Sequence, residues 1–216
     1  MKRIMFALVG ALVAAGAGPA FAASSIDVPT TTAPSVDPRA DDSSFDPSAV
    51  AQLSWDSTKL RPATEQTMAR VATDGKFLYV RFDASQTERI VSAQPVDGKS
   101  NGDLVWVDLQ PSGASGAMYH FAASPDGSNG ATVSNGTAPA FQASGAAFDG
   151  GYTVTMKIPI AEIRGVQAAG PWNAQFGRAI GANGEQFVWS HDGNVAQAGT
   201  MTMPTSVGLT SGGASH

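Results

Sequence analysis

The chain has no cysteine. That excludes disulfides, thiolate metal sites, a cysteine nucleophile, a lipid-modified N-terminal cysteine and the Cys-x-x-Cys-His attachment of a c-type haem. Charge is scarce as well: Asp, Glu, Lys and Arg make up 14% of the 216 residues, against roughly 25% in ordinary globular domains. What charge there is leans acidic, with 18 Asp and Glu to 13 Lys and Arg. No block of basic residues occurs, so neither nucleic acid nor an anionic membrane surface is an expected partner. Beyond the first residues there is no apolar run of spanning length and no sustained 3.6-residue period. Catalytic signatures are missing too: no Gly-x-Ser-x-Gly elbow, no His-Glu-x-x-His and no phosphate loop.

The opening has three parts. Lys2 and Arg3 are followed by an uncharged apolar run from Ile4 to Gly18, then Pro19 and the small-x-small triplet Ala20-Phe21-Ala22. This pattern predicts a signal peptide over 1–22, cleaved before Ala23. The run is shorter than the roughly 20 residues that a membrane-spanning helix needs. Export to the periplasm or the medium is therefore expected, with no membrane insertion after cleavage. Residues 23–49 carry Thr30-Thr31-Thr32, prolines at 29, 34, 38 and 47, and few large apolar side chains. They are predicted to be a disordered Pro/Thr/Ser-rich linker. The acidic residues Asp37, Asp41, Asp42 and Asp46 within it lack the Asp-x-Asp-x-Asp-Gly spacing of a calcium loop.

From residue 50 onward, turn signals such as Asp74-Gly75, Asp97-Gly98 and Asn101-Gly102 separate short alternating runs. In Phe77–Asp83, Leu78, Val80 and Phe82 face one way and Phe77, Tyr79 and Arg81 the other. In Asp103–Leu109, Val105, Val107 and Leu109 oppose Leu104, Trp106 and Asp108. Tyr119 and Phe121 oppose Met118 and His120. Tyr152, Val154, Met156 and Ile158 oppose Thr153, Thr155 and Lys157. A period of two marks half-buried strands. Further strands are expected at Gln66–Ala72, Trp172–Ile180, Glu185–Trp189 and Gly199–Met203, with a Gly/Ser/Asn-rich meander from Ser124 to Gly136 and one helical turn at Ile160–Ile163. Eight or so such strands predict an all-β, jelly-roll-like sandwich of two antiparallel sheets over 50–205, with a disordered tail over 206–216.

Three stretches resemble the family 9 carbohydrate-binding module. They are Thr67 to Val80 through Asp74-Gly75 and Leu78-Tyr79-Val80; Asp103-Leu104-Val105-Trp106-Val107-Asp108-Leu109; and Gly151-Tyr152-Thr153-Val154 continuing to Ile158-Pro159-Ile160, with Thr155 where the family has Glu. The resemblance implies the sandwich fold and a non-catalytic, sugar-binding role. It also implies two tryptophans holding a sugar between them, yet the matching loops, Gly98–Gly102 and Gly193–Ala198, contain no aromatic residue. Trp106 stands where the family has a carboxylate within its strand.

With the aliphatic faces inward, the outer faces offer Trp106, Tyr79, Arg81, Asp108, His120 and Lys157 as carbohydrate-binding candidates. An aromatic ring supplies a platform for the apolar face of a pyranose, and ionic groups supply hydrogen bonds to hydroxyls. The plainer alternatives are a Trp106 ring packed under a loop, and solvated strand charges at Arg81 and Lys157. Met118 and His120 raise a second reading, a haem-b redox domain of the same fold. Because they share one strand face, Met68, Met156 or Lys157 would have to complete the ligation. A third reading is an envelope interaction module that has lost its sugar. Ser190-His191-Asp192 and the carboxylates Asp103 and Glu185 have no spacing that supports catalysis. No enzyme activity, cofactor or metal is expected.

Overall fold

The computed structural model describes residues 24–40, 42–46, 48–112, 117–163, 169–192 and 196–205. The expected leader and tail lie outside these residues. Along the chain come β1 (Ser25–Asp27), β2 (Ala49–Gln52), β3 (Trp55–Asp56), β4 (Arg61–Pro62), β5 (Thr67–Thr73), β6 (Phe77–Ser85) and β7 (Leu104–Gln110). Then follow β8 (Tyr119–Ala123), β9 (Asn129–Val133), β10 (Gln142–Phe148), β11 (Gly151–Pro159), β12 (Gly170–Ala179), β13 (Gln186–Val188) and β14 (Gly199–Met203). One sheet runs β4-β3-β13-β12-β7-β8-β9, with β14 also paired to β12 and β1 parallel beside β14. The other runs β10-β11-β6-β5-β2.

The alternating runs drive the two sheets together. Leu78, Val80 and Phe82 of β6 and Val154 and Met156 of β11 meet Val105, Val107 and Leu109 of β7 and Phe121 of β8 in one continuous core. Fully burying each such side chain contributes about 1.5–3 kcal/mol. The β5–β6 hairpin turns at Asp74-Gly75, where Gly75 has φ +88° and Asp74 Oδ1 accepts the Lys76 and Phe77 amides. The all-β sandwich expected from the alternation is the fold observed.

The described residues between 24 and 49 differ from the expected disordered linker. Ser25–Asp27 pairs with Thr200–Thr202, and the Thr31 amide donates to the Thr73 carbonyl. Val28 is buried, and Phe45, at the end of a 3-10 turn over Asp42–Phe45, is fully buried against Ala72 and Tyr79. Two apolar anchors suffice because the receiving surfaces, a strand edge and a sheet face, are already built. The expected Gly/Ser/Asn-rich meander contains β9. β10 was not anticipated either, because its Ala-Ser-Gly-Ala-Ala sequence has no hydrophobic alternation to reveal it. Gly145 in β10 has a packing role: a β-carbon there would overlap the Pro125 carbonyl. The helical turn at Ile160 is present as a 3-10 turn, Ile160–Glu162.

One inward side chain breaks the apolar rule. Arg178 of β12 is fully buried between the sheets. Its Nη1 donates to Thr67 Oγ1 and to the Ser85 carbonyl, both at 2.8 Å, and its Nη2 donates to Gln86 Oε1 at 2.6 Å. Glu65 Oε2 lies 3.5 Å away, and the guanidinium sits 5.3 Å from the Tyr152 ring centroid. Arg178→Ala leaves buried acceptors and the Glu65 carboxylate without their cation, so a loss of about 3–5 kcal/mol is expected. A shift of the urea midpoint checks it; an unchanged midpoint would show that the network contributes no net stability.

Candidate functional site

Strand pairing decides which expected site residues can act together. β7, β8 and β12 belong to one sheet and β6 and β11 to the other. Trp106, Asp108 and His120 therefore share one outer face, while Tyr79, Arg81 and Lys157 lie on the opposite outer face. The six candidates, expected on the outer faces of adjacent strands, thus fall into two separate groups.

The second group is occupied structurally. Tyr79 is buried beneath Phe45, and its hydroxyl donates to Asp74 Oδ2 at 2.9 Å. Burial and the Asp74 carboxylate both push the Tyr79 hydroxyl pKa up. Arg81 is largely buried, donating to Asp83 Oδ1 at 3.1 Å and to the Ala40 carbonyl. Lys157 places its ammonium 4.2 Å from the Phe77 ring centroid. The N-terminal segment covers this face at Tyr79 and Arg81, through Phe45 and the Ala40 carbonyl.

The first group lines an open groove. Cross-strand pairing puts Trp106 beside Gly177 of β12 and Ala122 of β8, and Asp108 beside Gln175 and His120. The Trp106 indole lies over Gly177, where any β-carbon would overlap the ring. Glycine at 177 therefore leaves room for the indole against the sheet, where Trp106 is half-buried. Trp106 and His120 line a groove of about 540 Å³, with Leu104, Thr132 and Gln186 and a wall formed by residues 97–101. Asp108 and Gln175 line a second hollow of about 200 Å³ on the same face.

The wall is fixed by its turn. Asp97 and Gly98 have φ +48° and +72°, and Val96 and Lys99 bridge across them, as in a tight Asp-Gly hairpin turn. A side chain at Gly98 would overlap the His120 ring. Instead, the Gly98 carbonyl lies 2.9 Å from His120 Nε2, and Asp108 Oδ1 lies 2.6 Å from His120 Nδ1. Both ring nitrogens face acceptors, an arrangement that favours the imidazolium, which donates from both. Burial works against that charge, but the Asp108 hydrogen bond and charge, with the Gly98 carbonyl, outweigh it and raise the pKa above its ordinary 6.5.

This arrangement does not fit the haem reading. Neither His120 nitrogen has a lone pair free for iron. Met118 shares His120's sheet, whereas Met68, Met156 and Lys157 all belong to the other sheet, with Met156 fully buried in the core. The carboxylates Asp103 and Glu185 are likewise committed. Asp103 accepts from Gln86, the Val91 amide and the Gly181 amide. Glu185 accepts from Lys59, Arg61 and Thr64, and the lysine and arginine bonds hold its pKa down. His191 is stacked on Trp55, ring centroids 4.6 Å apart and 8° from parallel. Trp55 was missed in the sequence because its strand is two residues long, too short for any period to show.

No family model matches the sequence, and no curated protein does. Solved structures do match. One, described as a "putative carbohydrate-binding protein" from Bacteroides uniformis, aligns with TM-score 0.66 and 15% identity over 85% of this chain and all of that one. A family 9 carbohydrate-binding module from Caldicellulosiruptor kristjanssonii, solved with cellotriose and with glucose, aligns with TM-score 0.61 and 15% identity. These alignments cover 83% and 84% of this chain and 93% and 96% of the module. The fold is that of a family 9 carbohydrate-binding module. Within this family 9 fold, the sheet face bearing Trp106 carries the groove, and the opposite outer face is capped at Tyr79 by Phe45.

The raised histidine pKa has a signed consequence. The imidazolium's contribution to stability is fully present below pH 6.5, its unfolded value, and is lost as pH rises through the higher folded value. In an NMR titration His120 is expected to titrate above 6.5, and Asp108→Asn to bring it down. A wild-type midpoint at or below 6.5 would mean that the pair does not hold the charge.

Proposed function

We propose that this is an exported, non-catalytic carbohydrate-binding domain whose ligand lies on Trp106. The observation that carries the reading is the indole set against Gly177, half-buried, in the lining of a groove with polar groups along its wall. A pyranose presents an apolar C–H face and a rim of hydroxyls, so it needs an aromatic plane beneath and hydrogen-bonding groups around. Gln186, Thr132 and the wall residues Asp97, Lys99, Ser100 and Asn101 provide such groups. His120 and Asp108, whose polar atoms already face one another, act as positioning residues for the wall. The carbohydrate-binding neighbours support the reading by fold, and the carboxylates committed to amides and cations support a role without turnover.

Trp106→Ala is expected to leave the thermal midpoint close to wild type and to weaken glycan binding about tenfold or more, a difference of about 1.4 kcal/mol. Titration calorimetry on a glycan picked from an array checks this. Glycan binding at unchanged affinity in the variant would move the site elsewhere. Binding to none of the array's glycans by the wild type would favour the interaction-module reading.

Export to the periplasm or medium rests on the leader pattern at 1–22. Mass spectrometry of the protein recovered outside the cytoplasm should give an N-terminus at Ala23, just before β1. Recovery of the chain beginning at Met1 would overturn cleavage.

A further inference from the structure

The shape of the groove carries more than the presence of a ring. Its lining includes Thr132 of β9, His120 of β8, Trp106 of β7, Ala179 of β12 and Gln186 of β13. These are five consecutive neighbours in the sheet. At about 4.8 Å between strands, the groove therefore runs about 19 Å across the strands, far longer than one sugar ring.

A second aromatic group stands in line with the first. Trp55 of β3 pairs with Val188, Val188 with Gly177, and Gly177 with Trp106. Paired residues share a sheet face, so Trp55 and Trp106 project from the same outer face, about 14 Å apart by three strand spacings. Trp55 and its stacked partner His191 are both half-buried. Gln186, two residues from Val188 along β13, carries the groove's lining to the strand next to Trp55.

We infer that the ligand is a linear oligosaccharide of at least three units laid across the strands, with one unit on Trp106 and another against the Trp55–His191 stack. This rests on the proposed sugar site at Trp106 and names what that site accepts: an internal stretch of chain, not a single terminal sugar. One ring alone would fill only part of the groove, and three strand spacings between the aromatic groups leave room for a unit between them.

The test is calorimetry on the 23–216 chain with β-1,4-linked gluco-, xylo- and manno-oligosaccharides of one to five units. For a series that binds, affinity is expected to climb at least tenfold from one unit to three or four and then level off. His191→Ala, at a half-buried surface position, should remove most of that climb and leave the affinity for the shortest binding sugar within about twofold. Trp106→Ala should weaken every length. Equal affinity for one unit and for longer chains overturns the extended site and leaves the sugar site standing. A climb unaffected by His191→Ala, with the variant folded by its thermal midpoint, overturns the second platform. No binding of any series at any length overturns the proposal and counts against the sugar-site reading.

Discussion

A guanidinium in the middle of a β-sandwich has to be met by acceptors, since an uncompensated buried charge costs several kcal/mol. Arg178 meets them on the sheet that faces it. It projects from β12, and its partners Thr67 and the Ser85 carbonyl belong to β5 and β6. Apolar packing alone tolerates sliding of one sheet over the other, because methyl groups exchange neighbours at little cost. Directional hydrogen bonds at 2.6–2.8 Å do not. The arginine therefore fixes the register between the sheets.

The same network reaches the face that carries the groove. Gln86 accepts from Arg178 and, through its own Nε2, donates to Asp103, which also holds the Val91 and Gly181 amides. Gln86 and Asp103 bracket the long connection from β6 to β7, and residues 97–101 near its end form the groove wall. At its tip the wall is held again, by the Gly98 carbonyl on His120. A segment without regular secondary structure beyond the Val96–Lys99 bridge thus has fixed ends and a fixed tip, so the groove need not be ordered by its ligand. Preorganisation of this kind lowers the entropic cost of binding.

Much of the fold was legible because it rests on alternation, which local sequence records. Leu78, Val80 and Phe82 announce their strand, and the Ile158-Pro159 corner marks where β11 ends. The choice of partner strand is not local. Trp106 and Tyr79 have the same alternation signature, and nothing in either run says that one sheet carries β7 and the other β6. That is why half of the expected site lies on the wrong face. Phe45 and Val28 were illegible for a related reason: a lone apolar residue in a Pro- and Thr-rich stretch shows no period, and its burial depends on a surface built elsewhere. Arg178 gave no signal either, since a charge in a strand reads as outward. Gly177 could have given one, because a glycine within a strand points to close approach of another group, here the Trp106 ring.

The departure from a tryptophan pair then acquires a physical sense. Two rings facing each other enclose both faces of one sugar, and that enclosure suits a chain end. A single indole set against Gly177 of the sheet offers no such enclosure. For the sugar ligand proposed above, the contact area per unit would be smaller, so useful affinity would come from contacts to several units, and a groove lined from five strands supplies the length for them. Gly177 is what makes this placement possible: any side chain there would overlap the ring and displace it from its place against the sheet. The position of Trp106 in the strand, where the resembling family has a carboxylate, and the absence of aromatic residues from the Gly98–Gly102 loop are thus two sides of one design, in which the aromatic surface has moved from the walls to the floor.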